Sequence, residues 1–247
     1  MANKVEEITP YGSAEPKGRQ VEQMFDSIAP AYDFMNRAMT LGIDRCWRAK
    51  AVGMLGSPER ILDVATGTGD LALLLARRIP GCRVVGVDLS EGMIAVGRKK
   101  VDAAGLADRI TLQAADCLDL PFPDGEFDCV TVAYGVRNFA DIPAGLREMR
   151  RVLRPGGRLC IIELSVPANP LVRPFYNLYT RTLIPAVGRL VSRDTRAYSY
   201  LPESIAAVPQ GAEMCSLMTA AGFSGATFRR LTLGVCTIYL ATAGLQV

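Results

Sequence analysis

Apolar positions along the chain follow two alternating rhythms. Short runs at Ile61–Val64, Val84–Asp88, Arg109–Ala115, Asp128–Tyr134 and Arg158–Leu164 are brief and nearly continuous, and predict buried strands. Between them, Leu71–Arg78, the stretch beginning at Ser90, and Ile142–Leu153 carry apolar residues at helical spacing. Ser90 is a candidate N-cap, and Arg154-Pro155-Gly156-Gly157 a stop signal. Such alternation predicts a doubly wound parallel sheet with right-handed crossovers. A last helix, Gln210–Ala221, precedes two strands, Ala226–Leu231 and Val235–Ala241. Their tight Leu-Thr-Leu-Gly link predicts an antiparallel hairpin at the sheet edge. The expected fold is α/β, with a mostly parallel seven-stranded sheet.

Two stretches depart from this rhythm. Residues 1–18 are polar and expected to be loose, whereas Arg19–Leu55 is helical in pattern. There Val21, Met24, Phe25 and Ile28 recur at helical spacing, Pro30 interrupts, Tyr32–Met39 resumes, and a third piece carries Trp47. Residues 1–55 are therefore expected to form a helical segment over the mouth of a site in residues 56–247. Within the latter, residues 167–205 form an insertion with tyrosines 176, 179, 198 and 200 and arginines 173, 181, 189, 193 and 196. Leu171, Phe175, Leu178, Leu183, Ile184, Val187 and Leu190 predict an apolar helical side. A helical cap follows, either solvated or in contact with anionic lipid.

Candidate chemistry starts at Ala65-Thr66-Gly67-Thr68-Gly69-Asp70, a glycine turn between the first strand and its helix. Asp88, ending the next strand, suits a carboxylate that reaches ribose hydroxyls. A dinucleotide turn wants a third glycine at the helix contact, and no phosphate-cradling Gly-Lys-Ser/Thr run occurs. Asp63 and Asp70 would repel phosphates but suit a ligand with a nucleoside at one end and a cationic amine and sulfonium at the other. That describes S-adenosylmethionine. Thr66, Gly67, Gly69, Asp63, Asp88, Asp116 and Cys117 are the cofactor candidates, the last pair at the carboxyl end of the third strand. Asp116 serves either the adenine amine or its own turn.

Composition narrows the chemistry. The chain contains no histidine, which removes the commonest general base and most zinc chemistry. Seven scattered cysteines, none in a Cys-x-x-Cys pair, support neither a metal site nor a disulfide framework. A net charge of +3 is too small to argue for nucleic acid. The first residues lack the apolar core of a secretion signal, and a cytoplasmic protein is expected.

Several stretches resemble the UbiE/MenG quinone C-methyltransferases. They are VEQMFDSIAPAYDFMN, LDVATGTGD, VVGVDLSEGM, LPFPDGEFDCVTVAYGVRNFAD, LREMRRVLRPGGRLCIIELS and YSYLPESI, within about Val21 to Ala241. The glycine turn and Leu-Arg-Pro-Gly-Gly are common to many methyltransferases; the Tyr-Gly-Val-Arg-Asn-Phe element and the Met-Phe-Asp-Ser-Ile opening are narrower. The resemblance implies a class I S-adenosylmethionine-dependent fold and methyl transfer to a ring carbon of a prenylated quinol. It places cofactor contacts on Thr66, Asp88, Asp116 and Cys117. A serine that touches the cofactor in some members is Ala133 here. Gly234–Tyr239 stands in place of a histidine-containing strand, which points to demethylmenaquinol, with a benzoquinol as the alternative. Arg137 and Asn138 are candidates to orient water or stabilise a phenolate, and Tyr32 to bind the other oxygen. Alternatively, Arg137 pairs with Asp141. Peripheral contact with the inner face of the plasma membrane is an expectation for residues 167–205, and a homodimer is left open.

Competing functions are disfavoured by particular residues. A nicotinamide dehydrogenase lacks its third glycine, and a nucleic-acid methyltransferase lacks its Asn/Asp-Pro-Pro-aromatic motif where Gly-Val-Arg-Asn stands. A binding protein without catalysis, or another small-molecule methyltransferase, also fits the turn.

Overall fold

The computed structural model describes residues 3–183 and 195–244. One sheet contains β1 (Arg60–Val64), β2 (Arg83–Asp88), β3 (Ile110–Ala114), β4 (Phe127–Ala133), β5 (Leu153–Leu164), β6 (Phe223–Leu231) and β7 (Cys236–Ala243). Their order is β3-β2-β1-β4-β5-β7-β6. The first five strands are parallel, and β7 runs antiparallel between β5 and the edge strand β6. The expected edge hairpin is present, turned by a tight helical turn at Thr232–Gly234. One boundary moves: Leu153 pairs with Phe127 before Arg158 pairs with Cys129, so the Arg-Pro-Gly-Gly segment is an irregularity within β5.

Helices α1 (Lys17–Ile28), α2 (Tyr32–Thr40) and α3 (Asp44–Val52) precede the sheet. Helices α4 (Asp70–Arg78), α5 (Glu91–Ala103) and α6 (Ile142–Val152) are its crossovers. Helices α7 (Arg173–Leu178), α8 (Thr195–Ala207) and α9 (Ala212–Ala220) follow β5. Strand alternation divides the core: Leu62, Val64, Val130 and Val132 pack with Leu146, Met149 and Met214. Ile61, Cys129, Cys160 and Ile162 face Trp47, Leu71 and Leu75 in a second cluster. Each large aliphatic side chain so buried contributes about 1.5–3 kcal/mol.

The N-terminal helices are held by polar contacts as well as by Met24, Ile28 and Met35 packing on Met93. Asp26 Oδ1 accepts from Ser90 Oγ and the Gly92 amide at the amino end of α5, where a negative charge is favoured. Asp33 accepts from Thr68 Oγ1 and from Lys100 Nζ, each at 2.6 Å, which joins α2 to the glycine turn.

The expectation of a loose amino terminus is corrected. Val5 is fully buried, Glu6 accepts from the Ile142 amide, and Gln20 gathers Tyr11, Ser13 and Glu15 of the leading loop. A buried amide can organise a polar loop without any apolar periodicity to betray it. The cap differs too. Tyr176, Tyr179 and Thr180 face inward, while Leu171, Phe175 and Leu178 are exposed. Ile184, Val187 and Leu190 lie outside the described residues.

The ends of β1 and β4 lie unusually close. Ala65 and Tyr134, immediately beyond them, both adopt left-handed backbone (φ 52° and 60°). Any Cβ on Gly135 would lie 2.5 Å from the Ala65 Cβ, an atom fixed to the backbone. Gly135→Ala is therefore expected to cost about 1–3 kcal/mol, read as a lower midpoint in urea denaturation. An unchanged midpoint would show that the strand ends can separate freely.

Candidate active site

Parallel strands present their carboxyl ends to a common crevice, and the order reverses between β1 and β4. The turn after β1 places Gly67 and Gly69 at positive φ (57° and 76°). Gly69 ends the turn as the N-cap of α4 and lines neither of the two clefts beside it. The Asp88 carboxylate braces the turn by accepting the Gly67 amide at 2.8 Å and the Ser90 amide at 3.0 Å. Burial holds its pKa above the ordinary carboxylate value, against the lowering effect of those amides.

Two clefts open beside this brace. The first is lined by Gly67, Asp88, Asp116, Cys117, Val21 and Phe25. It offers carboxylates at one side and apolar walls elsewhere, with Ala133 contributing only a methyl-bearing wall. Asp116 also accepts the Leu118 amide, the turn role expected of it, while lining the cleft. Burial pushes the Cys117 thiol far up, which keeps it a neutral wall. The second cleft is mostly apolar, with Trp47, Leu164, Val172, Tyr176, Tyr179 and Val235 among its lining. Tyr32 and Tyr134 line both clefts and mark where they meet.

The cofactor candidates thus separate into two sets. Gly67, Asp88, Asp116 and Cys117 reach the first cleft. Asp63 and Thr66 sit beneath the turn: Asp63 is buried and accepts from Thr66 Oγ1 and Thr131 Oγ1, each at 2.6 Å. They line a small side cavity with Tyr32, Arg48 and Asp70. Asp70 is occupied by Lys100, with Arg48 at 3.9 Å, so its charge is balanced internally. Contrary to expectation, neither acid is left awaiting a cationic ligand. Here tertiary neighbours from α3 and α5 supply cations that no local motif shows.

The catalytic candidates converge. Arg137 is buried and donates Nη1 to Glu163 Oε1 at 2.7 Å and to the Tyr134 carbonyl. Its partner is Glu163 rather than Asp141, which instead caps α6 through the Ala144 amide. Burial alone would lower the Arg137 pKa, but Glu163, Tyr32 and Tyr200 together outweigh it, so the guanidinium stays charged. Asn138 Oδ1 accepts from Tyr200 Oη at 3.1 Å, and Asn138 lines the first cleft. Tyr32 is shifted upward by burial and remains a neutral phenol. Glu163, Arg48 and Tyr134 were not singled out as site residues; a glutamate inside the apolar run Arg158–Leu164 was the available signal for the first. Among the described residues no group of histidines, cysteines or carboxylates could hold a metal.

Burial raises the Asp63 carboxyl from 3.8 to about 6. A folded-state pKa above the unfolded one favours folding only while the group is protonated. That contribution is full below about pH 4 and is lost as pH rises through about 6. In Asp63→Asn the threonine hydroxyls can turn to suit the amide, and this part of the profile disappears. Thermal melts from pH 4 to 8 are expected to show the variant gaining on the wild type as pH rises; parallel profiles would contradict the assignment.

Comparison with known proteins accords with this geometry. The family model of the ubiE/COQ5 methyltransferase family matches residues 13–243. The demethylmenaquinone methyltransferase of Bacteroides fragilis is 49% identical over 239 residues, covering 96% of this chain and 98% of that protein. The ubiquinone/menaquinone biosynthesis C-methyltransferase UbiE of Geobacter sulfurreducens is 46% identical over 246 residues, covering 98% and 95%. A SAM-dependent methyltransferase of Thermotoga maritima shares the fold at a TM-score of 0.63 and 17% identity, covering 90% of this chain and 99% of that one. With a glycine turn, a strand-end carboxylate and an adjoining apolar cleft on one seven-stranded sheet, the chain belongs to the ubiE/COQ5 methyltransferase family.

Proposed function

We propose that the protein methylates a ring carbon of a prenylated quinol with S-adenosylmethionine as donor, and that demethylmenaquinol is the substrate. The observation that carries this reading is the junction of two unlike clefts at Tyr32 and Tyr134. A polar, acid-bearing cleft suits the nucleoside and amino-acid ends of the donor. An apolar one suits a lipid-like ring and tail. The names of relatives at 46–49% identity support a quinone substrate, and one of them admits the benzoquinol of ubiquinone synthesis as the alternative.

The residues of the first cleft fit the donor. Asp88 faces the ribose hydroxyls with lone pairs left beyond its two amide donors, Asp116 the adenine amine, and Cys117 and Phe25 the ring faces. The absence of a Cβ at Gly67 leaves room between turn and Tyr32, whose ring lies 3.8 Å from where that atom would stand. Asp63, beneath the turn, contributes support rather than contact. Bound there, the donor supplies an electrophilic methyl on a sulfonium.

The chain's own task is to align the quinol and manage its proton. A quinol carbon becomes a strong nucleophile when the neighbouring hydroxyl ionises. The Arg137 guanidinium, fixed by Glu163, stabilises that developing charge in a water-poor cleft. Arginine is too basic to take the proton itself, so a water oriented by Asn138 receives it. Tyr32 closes the junction from α2. Residues 1–55 act as cover and residues 167–205 as lid and prenyl channel, a division supported by Val21 and Phe25 at the first cleft and Val172, Tyr176 and Tyr179 at the second.

Peripheral contact with an anionic membrane face completes the proposal. Among the described residues no helix is long and apolar enough to cross a membrane. Exposed Leu41, Leu171, Phe175 and Leu178 border or adjoin the apolar cleft, and a groove lined by Arg37, Arg45, Arg77 and Arg78 lies nearby.

Two measurements test the proposal. Purified protein with labelled donor is expected to methylate a reduced short-chain naphthoquinol faster than the matching benzoquinol; transfer to neither overturns the reading. In co-sedimentation, binding is expected to phosphatidylserine-containing vesicles and to weaken with salt; equal binding to pure phosphatidylcholine vesicles removes the electrostatic part.

A further inference from the structure

Among the described residues, the only buried side-chain polar atoms without a hydrogen-bond partner are Tyr134 Oη and Arg137 Nε. Buried donors are nearly always satisfied, and an orphan costs about as much as a hydrogen bond is worth. That both orphans belong to residues lining the same apolar cleft therefore calls for an explanation. The cleft's other lining is largely hydrocarbon and aromatic ring.

Tyr134 is also held in place with unusual insistence. Its backbone is left-handed, a conformation that a bulky residue adopts only when its surroundings impose it. The amide donates to Ile162 O at 2.7 Å, and the carbonyl accepts from Arg137. The Arg48 guanidinium lies 5.2 Å from the ring centroid, fixed in turn by Asp44. The side chain is 9% exposed, and beside its hydroxyl stands the Cys236 thiol, a poor acceptor. Backbone and ring are engaged; the hydroxyl alone has no partner better than the Cys236 thiol.

We propose that Tyr134 Oη and Arg137 Nε are the two donors that read the two oxygens of a bound 1,4-quinol. Arg137 takes the oxygen that ionises next to the methylated carbon, because a cation gains most from a developing negative charge. Tyr134, a neutral donor, takes the oxygen para to it. Tyr134 is thereby a substrate-binding residue that selects for the second ring oxygen. This rests on the quinol reading of the site, which the test separates from the inference itself.

Tyr134→Phe removes the hydroxyl alone. Kinetics with a reduced short-chain naphthoquinol are expected to show an about tenfold rise in KM, the worth of one hydrogen bond. The matching naphthol, which keeps only the hydroxyl beside the reacting carbon, serves as a competitive inhibitor. Its inhibition constant is expected to be the same in wild type and variant within about twofold, since it offers Tyr134 nothing to bind. The melting temperature should not fall measurably, because the fold loses at most a weak contact with the Cys236 thiol. Wild-type KM and kcat in the variant would overturn the inference, as would an equal loss of naphthol affinity or a lowered melting temperature. A wild-type enzyme inactive on every quinol would sink the quinol reading and the inference with it.

Discussion

The close approach of two strand ends is the constraint on which the site depends. β1 and β4 are neighbours running parallel, and the crossovers leave them in opposite directions. Both chains must bend sharply where they leave the sheet, and both do so through a non-glycine residue in left-handed conformation. Gly135 is what lets them do this side by side, because the Ala65 methyl occupies the space a side chain would need. The bend after β1 forms the turn that Asp88 braces. The bend after β4 aims Tyr134 into the apolar cleft and places Arg137 behind it. The two clefts meet because two strands end together.

Buried charge gives this junction its rigidity. Arg137 and Glu163 form an ion pair in which both side chains are almost wholly enclosed. Such a pair is poor value for stability alone, since desolvation offsets most of the attraction. Its geometry is specific, however: Glu163 also accepts the Arg137 and Leu164 amides, so the guanidinium has one place to be. The amino-terminal segment is tied to the same point, with Lys17 Nζ donating to the carbonyls of Val5 and Arg137. Burial pulls the Lys17 pKa down to about 8. A charge accepted there despite its cost locks the cover to the turn that carries Arg137.

The N-terminal helices play a second part through their acids. Asp26 caps α5, Asp33 bridges Thr68 and Lys100, and Asp44 holds Arg48 over the Tyr134 ring. Asp26 and Asp33 join covering helices directly to parts of the sheet domain that shape the site, and Asp44 does so through Arg48 of its own helix. The cover is thus fastened by directed contacts at three points, and its apolar stripe of Met24, Ile28 and Met35 supplies the adhesion between them.

Much of this was legible in the chain itself. Alternation of short apolar runs with helical stretches determined the sheet, its parallel part and its edge hairpin, because local periodicity and turn chemistry act on neighbouring residues. The glycine turn, Asp88 and the Asp116-Cys117 pair were likewise readable, since strand ends in such sheets face one crevice. Other features needed the fold. That Asp70 is neutralised by Lys100 and Arg48, that Arg137 chooses Glu163 over Asp141, and that the outer side of α7 is the apolar one depend on which distant side chains arrive at the same place. The burial of Val5 and Lys17 is of the same kind. Electrostatic partners and orphaned donors are properties of three-dimensional neighbourhoods, and a linear pattern records only which residues were free to find each other.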